Sequence, residues 1–344
     1  MSQQKFQSQW VVVLAVVLWV GLVITAVLLI KPSDRSQLPV NKPALTMEQI
    51  IQKFEPLRQQ FMQQHGKGDL GRLISHVHKL VNKYPAFAPG QLFLGQLYFD
   101  NGDLENSQLY ISKCLELDPK QGQVHLLAGN IALMQQDAQG AADHLSQAVA
   151  IEPSNAKYWL YLGQSYFTQK IWPQAQQCFE KTIELDSART LAYSGLSDCQ
   201  VQQGNLSGAV FTLQRAIDQT PLSKRKQQVV FLRKQAMLLG QLNKPNEALL
   251  VMGKLTNVEE AEPAILNEKA TYWNQLGEPG KAAELYEEQL KLNLRNWGLA
   301  AIAARWRMRA GDTAKAQQHI LHLQLINPDL PVIAELEKEL KQID

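Results

Sequence analysis

The residue types that carry most enzyme and redox chemistry are sparse in this chain of 344 residues. The three cysteines, Cys114, Cys178 and Cys199, are widely spaced and form neither a CxxC nor a CxxCH motif. This spacing gives no support for a zinc ribbon, a thioredoxin-like redox site or a covalently attached haem. We therefore predict that the cysteines are small buried hydrophobic residues.

Histidines and acidic residues add no stronger signal for chemistry. His319 and His322 are three residues apart and could share a metal ion, but no acidic residue or cysteine stands at a helpful spacing. We interpret them as a surface pair. The phosphate-binding, nucleophile-elbow and zinc-protease motifs GxxxxGK[ST], GxSxG and HExxH do not occur in the sequence. We predict no catalytic residue, no metal, no cofactor and no enzymatic activity.

The composition bounds the fold and the partners. Apolar residues make up 45% of the chain, which is enough for one long array or two compact domains. The formal net charge is only +2, so the chain as a whole has no strong positive potential that would attract nucleic acid. We therefore predict no nucleic acid as a partner.

The N-terminus carries an uncharged apolar run at 10–30, after a short polar tail at 1–9. As a helix the run would be about 31 Å long, which matches the hydrocarbon core of a bilayer. A cleaved signal peptide is the alternative, but its apolar region is normally shorter. We predict an uncleaved transmembrane anchor, followed by a linker at 31–47 with three prolines.

Beyond residue 47 the chain repeats itself every 34 residues. Pro85, Pro119 and Pro153 recur at that interval, and so do glycines at 95, 129 and 163. A period of 34 is typical of helix–turn–helix arrays. The stretch 159–186 resembles a tetratricopeptide repeat, on the strength of Trp159, Leu162, Gly163, Tyr166, Ala175 and Phe179.

The resemblance implies an all-α, right-handed superhelical solenoid of helix–turn–helix repeats. We expect about eight repeats over 48–330, with a degenerate first copy at 54–87 and a small insertion near 224–228. The amphipathic segment 331–344 would then cap the array, as a terminal repeat requires.

Small residues occupy two places in each predicted repeat, where its two helices must cross closely. The first-helix place holds Gly95, Gly129, Gly163, Ser197, Ala236, Ala270 and Ala304; the second-helix place holds Ser107, Ala141, Ala175, Ala209, Ala248, Ala282 and Ala316. Short glycine-containing turns separate the two helices of several repeats. In each, we predict that the glycine ends one helix and that the following Asp or Asn caps the next. The turns are GDL at 68–70 and 102–104, GNL at 204–206 and GDT at 311–313.

In tetratricopeptide arrays the first helices line a concave groove, and the repeat grid identifies its side chains here. Amides recur at 96, 130 and 164 and can pair with a peptide backbone, while large apolar residues recur beside them. The alternative is that these side chains only pack against the neighbouring repeat. The candidate groove comprises Leu92, Gln96, Phe99, Leu126, Asn130, Leu133, Leu160, Gln164, Phe167, Asp198, Arg233, Asn267, Asn274 and Arg305.

Two further features limit the choice of partner. Some relatives hold a C-terminal carboxylate with Lys and Arg at groove places where this chain has Leu92, Gln96, Leu160 and Gln164, which argues against that clamp. A basic cluster at 224–226, with Arg233 and Lys234, is either a solvated helix start or a contact for acidic lipid or an acidic partner.

The predicted function is a membrane-anchored scaffold or assembly factor that binds a protein or peptide in its groove. The anchor, the linker with TMEQ at 46–49 and the repeats are together similar to bacterial inner-membrane factors of c-type cytochrome maturation, which implies a periplasmic repeat domain. Lys31, Arg35 and Lys42 after the apolar run favour the cytoplasm instead. The alternatives are a cytoplasmic-face adaptor that recruits a soluble enzyme or protease, or an accessory factor for polysaccharide export, pili or a translocon.

Overall fold

The computed structural model of the protein describes residues 46–63, 70–256, 259 and 262–343, and this part of the chain contains seventeen α-helices and no strand. The predicted tail and anchor at 1–30, and the linker up to residue 45, lie outside these residues, as do positions 68 and 69 of the first predicted turn. Among the described helices none is long and apolar enough to cross a membrane.

The chain divides into two compact units, 1–64 and 65–344. The described helix of the first unit is α1, Met47–Gln63. At its start the backbone N–H of Gln49 donates to Thr46 Oγ1 at 3.3 Å, and the side chain of Gln49 accepts from the backbone N–H of Thr46 at 3.0 Å. The TMEQ segment is therefore a capping box, a local device for starting a helix.

The second unit holds the other sixteen helices. Its elements are α2 Leu70–Lys83, α3 Ala88–Asp100, α4 Leu104–Leu117, α5 Gly122–Met134, α6 Ala138–Ile151, α7 Ala156–Thr168, α8 Trp172–Leu185, α9 Thr190–Gln202, α10 Leu206–Gln219, α11 Arg225–Gln241, α12 Pro245–Met252, α13 Pro263–Gln275, α14 Pro279–Leu292, α15 Trp297–Arg309, α16 Thr313–Ile326 and α17 Pro331–Leu340. From α3 onward they form seven consecutive pairs, each in contact with the next, and α17 packs on α15 and α16.

The close crossing predicted within each pair is confirmed. A Cβ atom added to Gly95 would lie 2.7 Å from Cδ1 of Ile111, and one added to Gly129 would lie 2.6 Å from Cγ of Leu145. At Gly163 the ring of Phe179 would be only 2.9 Å away. The second-helix places are fully buried in all seven pairs, namely Ser107, Ala141, Ala175, Ala209, Ala248, Ala282 and Ala316.

The turns within the pairs share one backbone conformation. Gly102 has a φ of +78° and is followed by Asp103, whose carboxylate accepts the backbone N–H of Asn106 and caps α4. Asn205 and Asp312 cap their helices in the same way after glycines at 204 and 311. The same left-handed position is occupied without glycine by Gln136, Lys170 and Asn243.

The insertion near 224–228 extends one helix. A short 3-10 turn at Leu222–Lys224 leads into α11, which has 17 residues where the first helices α3, α5, α7 and α9 have 13. The extra residues therefore lengthen the start of α11 and leave the pairing of α11 with α12 intact.

Replacing Gly163 by leucine tests the helix crossing. We expect Gly163→Leu to lower the free energy of unfolding by about 1–3 kcal/mol, because the new side chain must displace the buried ring of Phe179. Gln177→Leu adds the same apolar bulk on an exposed position of α8 and should change stability by less than about 0.5 kcal/mol. Equal denaturation midpoints for the two variants would contradict the assignment.

Candidate functional site

A cavity of about 460 Å³ opens on the face formed by the first helices α5, α7 and α9, which we call the first-helix face. It is lined by Leu133, Gln136, Ala138, Gln164, Phe167, Thr168, Phe179, Leu191, Ser194, Gly195 and Asp198. Four positions singled out from the repeat grid, 133, 164, 167 and 198, are thus brought together in one place.

Helix periodicity explains which side chains reach the cavity. On α7 the lining residues stand at positions 164, 167 and 168, and on α9 they stand at 191, 194, 195 and 198. Both sets follow the spacing of three and four residues that defines one helix face. Sequence reasoning missed Leu191 and Gly195, although they lie one turn before residues 194 and 198 on the same face.

The floor of the cavity is an aromatic ring beneath a glycine. A Cβ atom at Gly195 would lie 2.5 Å from Cζ of Phe179, so a side chain at this position could not coexist with the ring as placed. The absence of a side chain keeps the cavity open between α7 and α9. Phe167 forms one wall and is held edge-on to Trp172, with ring centroids 4.9 Å apart.

The mouth of the cavity is amphipathic. Leu191 is 57% exposed there, and Leu133 and Phe167 are partly buried against the core. The amide group of Gln164 forms no hydrogen bond within the part of the chain that the structure describes, so both its donor and its acceptor are available to a partner.

The other two amides of the predicted row differ from Gln164. Gln96 donates through Nε2 to Asp100 at 3.0 Å and is therefore already paired. The Oδ1 atom of Asn130 is buried and accepts no hydrogen bond from the described residues. An unpaired buried acceptor is costly, but this atom is not exposed, so a partner reaches it only if the side chain moves.

Several predicted groove residues belong to the layer beneath the first-helix face. Leu126 and Leu160 are only 5% and 3% exposed and lie in the hydrophobic core. Leu92 and Phe99 are partly buried against the core around Ile111. Leu126 and Leu160 support the surface and are not free to bind a partner without repacking, whereas Leu92 and Phe99 keep part of their surface exposed.

The charged groove residues of the later repeats are neutralised within the chain. Asp198 pairs with Lys234 at 2.5 Å, Arg233 pairs with Glu268, and Arg305 contacts Glu335 and Glu339 at 3.1 and 3.2 Å. Asn267 accepts a hydrogen bond from the hydroxyl group of Tyr286 at 2.6 Å, while Asn274 is exposed. The three sets of ion pairs join neighbouring first helices, or α15 to α17, so they stabilise the stacking of repeats.

The basic cluster at 224–226 is only partly free. Arg225 donates to both carboxylate oxygens of Glu259, at 2.9 and 2.7 Å, and to the carbonyl oxygen of Lys254 at 2.8 Å. Glu259 is therefore a structural partner of Arg225, and this pair holds the pKa of Glu259 down at about 2. Lys224 and Lys226 are exposed.

The residues with potential for chemistry have structural roles. Cys114, Cys178 and Cys199 are buried as predicted, and burial raises their pKa values to about 11, 12 and 12, so the thiols stay protonated at neutral pH. His319 and His322 do not share a ligand: His319 contacts Glu287 at 2.9 Å, and His322 donates to the carbonyl oxygen of Leu294 at 2.7 Å. In the described ranges no group of three or more His, Cys, Asp or Glu side chains is placed to hold a metal ion.

Glu287 is the centre of a buried ionic cluster in the last repeats. It accepts two hydrogen bonds from Arg307, both 2.7 Å long, and a third contact from His319. The Arg307 pair, followed by the His319 contact, lowers the pKa of Glu287 to about 2 despite its burial. Because Arg307 is only 5% exposed, this cluster links α14, α15 and α16 in a low-dielectric environment.

Comparison with known proteins defines the class of repeat. The family model for the tetratricopeptide repeat matches residues 92–156 and 162–224, which is less than half of the chain. The helix pairs α3 to α10 in this region are therefore tetratricopeptide repeats, a unit that generally builds interaction scaffolds and not enzymes. No curated protein matches the sequence.

Solved structures of low sequence identity share parts of this architecture. A crystal structure of MamA is 24% identical, with a TM-score of 0.44, and the match covers 46% of this chain and 92% of that one. YrrB, described as a TPR protein with an unusual peptide-binding site, is 16% identical at a TM-score of 0.45, over 58% of this chain and 92% of its own. The Naa15/Naa10 complex bound to HypK matches 84% of this chain and 45% of the other, at 13% identity and a TM-score of 0.49.

Neutralising Glu287 tests the ionic cluster. We expect Glu287→Gln to lower the free energy of unfolding by about 3 kcal/mol at neutral pH, because the buried Arg307 loses its closest counter-charge and keeps only the longer contacts to Asp312 and Glu284, at 3.7 and 4.0 Å. The pKa of the carboxylate is lowered from 4.5 to about 2 in the folded state, so its stabilisation is fully present above 4.5 and is lost as the pH falls through 2. The difference between variant and parent, measured by urea denaturation, should shrink across that window.

The matched control is Glu284→Gln, since Glu284 lies 4.0 Å from Arg307 but its side chain is 60% exposed. We expect a change below about 1 kcal/mol with little pH dependence. Equal losses in the two variants would show that burial of the Glu287 pair is not what stabilises these repeats.

Proposed function

We propose that this protein is an interaction scaffold that holds an extended segment of a protein partner across its first-helix face. The observation that carries the proposal is the cavity between α5, α7 and α9, where apolar walls meet an unpaired amide. A bulky apolar side chain of the partner fills the cavity, and its backbone pairs with the amide of Gln164.

The charges on the face support an uncharged or weakly charged segment as the occupant. Asp198 lies at the cavity but already pairs with Lys234, and the cations of later repeats are held by carboxylates. Binding at this place therefore rests on apolar burial and hydrogen bonds to the backbone, and it should depend only weakly on ionic strength.

We further propose that the scaffold is anchored in a bacterial inner membrane through residues 10–30 and acts in the assembly of envelope proteins. The length and apolarity of that run support the anchor. Maturation of c-type cytochromes is the first candidate pathway, and it rests on the resemblance of the layout. The TMEQ segment adds little to that resemblance, because its sequence is explained by the capping box that starts α1. A periplasmic repeat domain is the expected orientation, and a cytoplasmic adaptor is the alternative.

Placing charge in the cavity tests the binding surface. The double variant Gln164→Glu, Leu191→Glu puts two carboxylates at a site that we expect to take an apolar side chain. Because Leu191 is 57% exposed and Gln164 lies at the surface of the cavity, folding should be retained. Cross-linking of the full-length protein in its own membranes, read by mass spectrometry, should lose its main partner adduct by at least tenfold relative to the parent.

The control is Phe211→Glu, which replaces an apolar side chain that is 66% exposed on the second helix α10 and does not line the cavity. It should leave the adduct unchanged. Retention of the adduct in a folded cavity variant, or equal loss in both variants, would reject the first-helix face as the binding surface.

The side of the membrane is tested by a reporter fused after Asp344. A periplasmic domain gives an active alkaline phosphatase fusion and an inactive, non-fluorescent cytoplasmic reporter at the same position. The reverse pattern would move the protein to the adaptor class and exclude a role in cytochrome maturation.

A further inference from the structure

The connection between α14 and α15 displays large apolar side chains to solvent. The segment KLNLRNW, 291–297, which we call the loop 291–297, comprises this connection, the last two residues of α14 and the first residue of α15, and all seven residues are exposed. Leu292 is 81% exposed, Leu294 is 60% exposed and Trp297 is 49% exposed. Single exposed apolar residues are common on protein surfaces, but three within seven residues form an apolar patch of the kind that marks an interaction site.

The patch is held in place by hydrogen bonds of the loop. His322 on α16 donates to the carbonyl oxygen of Leu294 at 2.7 Å, and the side chain of Asn296 caps α15 by accepting the N–H of Leu299 at 3.3 Å. The backbone N–H of Asn293 donates to Leu290 at 3.1 Å. The leucines are therefore presented to solvent by an ordered loop.

A neighbouring helix extends the apolar surface. Leu321 and Leu325 of α16 stand one residue before and three residues after His322, which reaches the loop. They are 51% and 85% exposed. Because His322 bonds to Leu294, Leu325, one turn further along the same face of α16, is the leucine of this helix on the side toward the loop.

Two cations flank the leucines, and neither has a counter-ion among the described residues. Lys291 and Arg295 are exposed and form no ion pair within the described part of the chain. This contrasts with Arg225, Arg233 and Arg305, each of which is held by a carboxylate. The nearest exposed carboxylate in sequence, Glu288, lies one turn before Lys291 on α14 but forms no ion pair with it.

We propose that the loop 291–297 inserts into the surface of a membrane that contains anionic lipid. A leucine pair between free cations, with a tryptophan at the edge, matches the interface of a bilayer: apolar side chains enter the acyl boundary while ammonium and guanidinium groups remain among the phosphates. A protein partner would need a pocket for a projecting loop and carboxylates opposite both cations. A bilayer surface accepts apolar side chains and attracts cations without a preformed pocket or matched carboxylates.

The test places an environment-sensitive fluorophore on the loop of the full-length protein. Leu294→Cys is labelled with NBD; the three native cysteines are buried with raised pKa values and react poorly with the reagent. In vesicles of phosphatidylcholine and phosphatidylglycerol, we expect a blue shift of NBD emission and quenching by doxyl-labelled lipid. Leu250→Cys, at a leucine that is 74% exposed on α12, is the matched control and should show neither effect.

A second set of measurements identifies the source of the signal. Replacing both cations, Lys291→Glu and Arg295→Glu, in the labelled protein should abolish the blue shift and the quenching, and the unfolding transition should be unchanged. Equal signals from positions 294 and 250, a signal unaffected by charge reversal, or a concentration-dependent shift in detergent without lipid would each overturn the proposal. The last result would instead identify a second copy of the chain as the occupant.

Discussion

The close approach of two helices within each repeat is the constraint on which the rest of the structure depends. At Gly163 there is no room for a Cβ atom beside Phe179, and every second-helix crossing place is fully buried. A helix pair packed at this distance exposes apolar faces on both sides, so it is stable only when the next pair covers them. The small crossing residues thus lead to the stacking of successive repeats. The stacking in turn aligns the first helices of the repeats in a row.

The row of first helices has two chemically different parts. From α3 to α9 it carries amides and apolar side chains, and its cavity reaches down to the ring of Phe179. From α11 onward its arginines form ion pairs with carboxylates of neighbouring helices, as Arg233 does with Glu268. The earlier part is thus available for a partner, while the later part uses its polar groups to hold successive repeats together.

The repeat grid was sufficient to predict the helices and their crossings but not the state of individual side chains. A glycine or alanine every 34 residues specifies where two helices touch, because size alone decides that contact. Whether Leu160 faces solvent or core depends on a small rotation of its helix, and the structure buries it. The pairing of Arg225 with Glu259 and the cavity beside Gly195 both depend on contacts between repeats, which a single-repeat pattern does not contain.

The central claim is that partners bind on the first-helix face near the cavity, and site-specific photo-crosslinking tests it most directly. A benzophenone amino acid is introduced at Leu191, which is 57% exposed at the cavity mouth, or at Phe211, which is 66% exposed on a second helix. Irradiation of cells that express the full-length protein should give a discrete partner adduct from position 191 and none of that mass from position 211. The same adduct from position 211, or none from position 191 while the partner still co-purifies, would contradict the account.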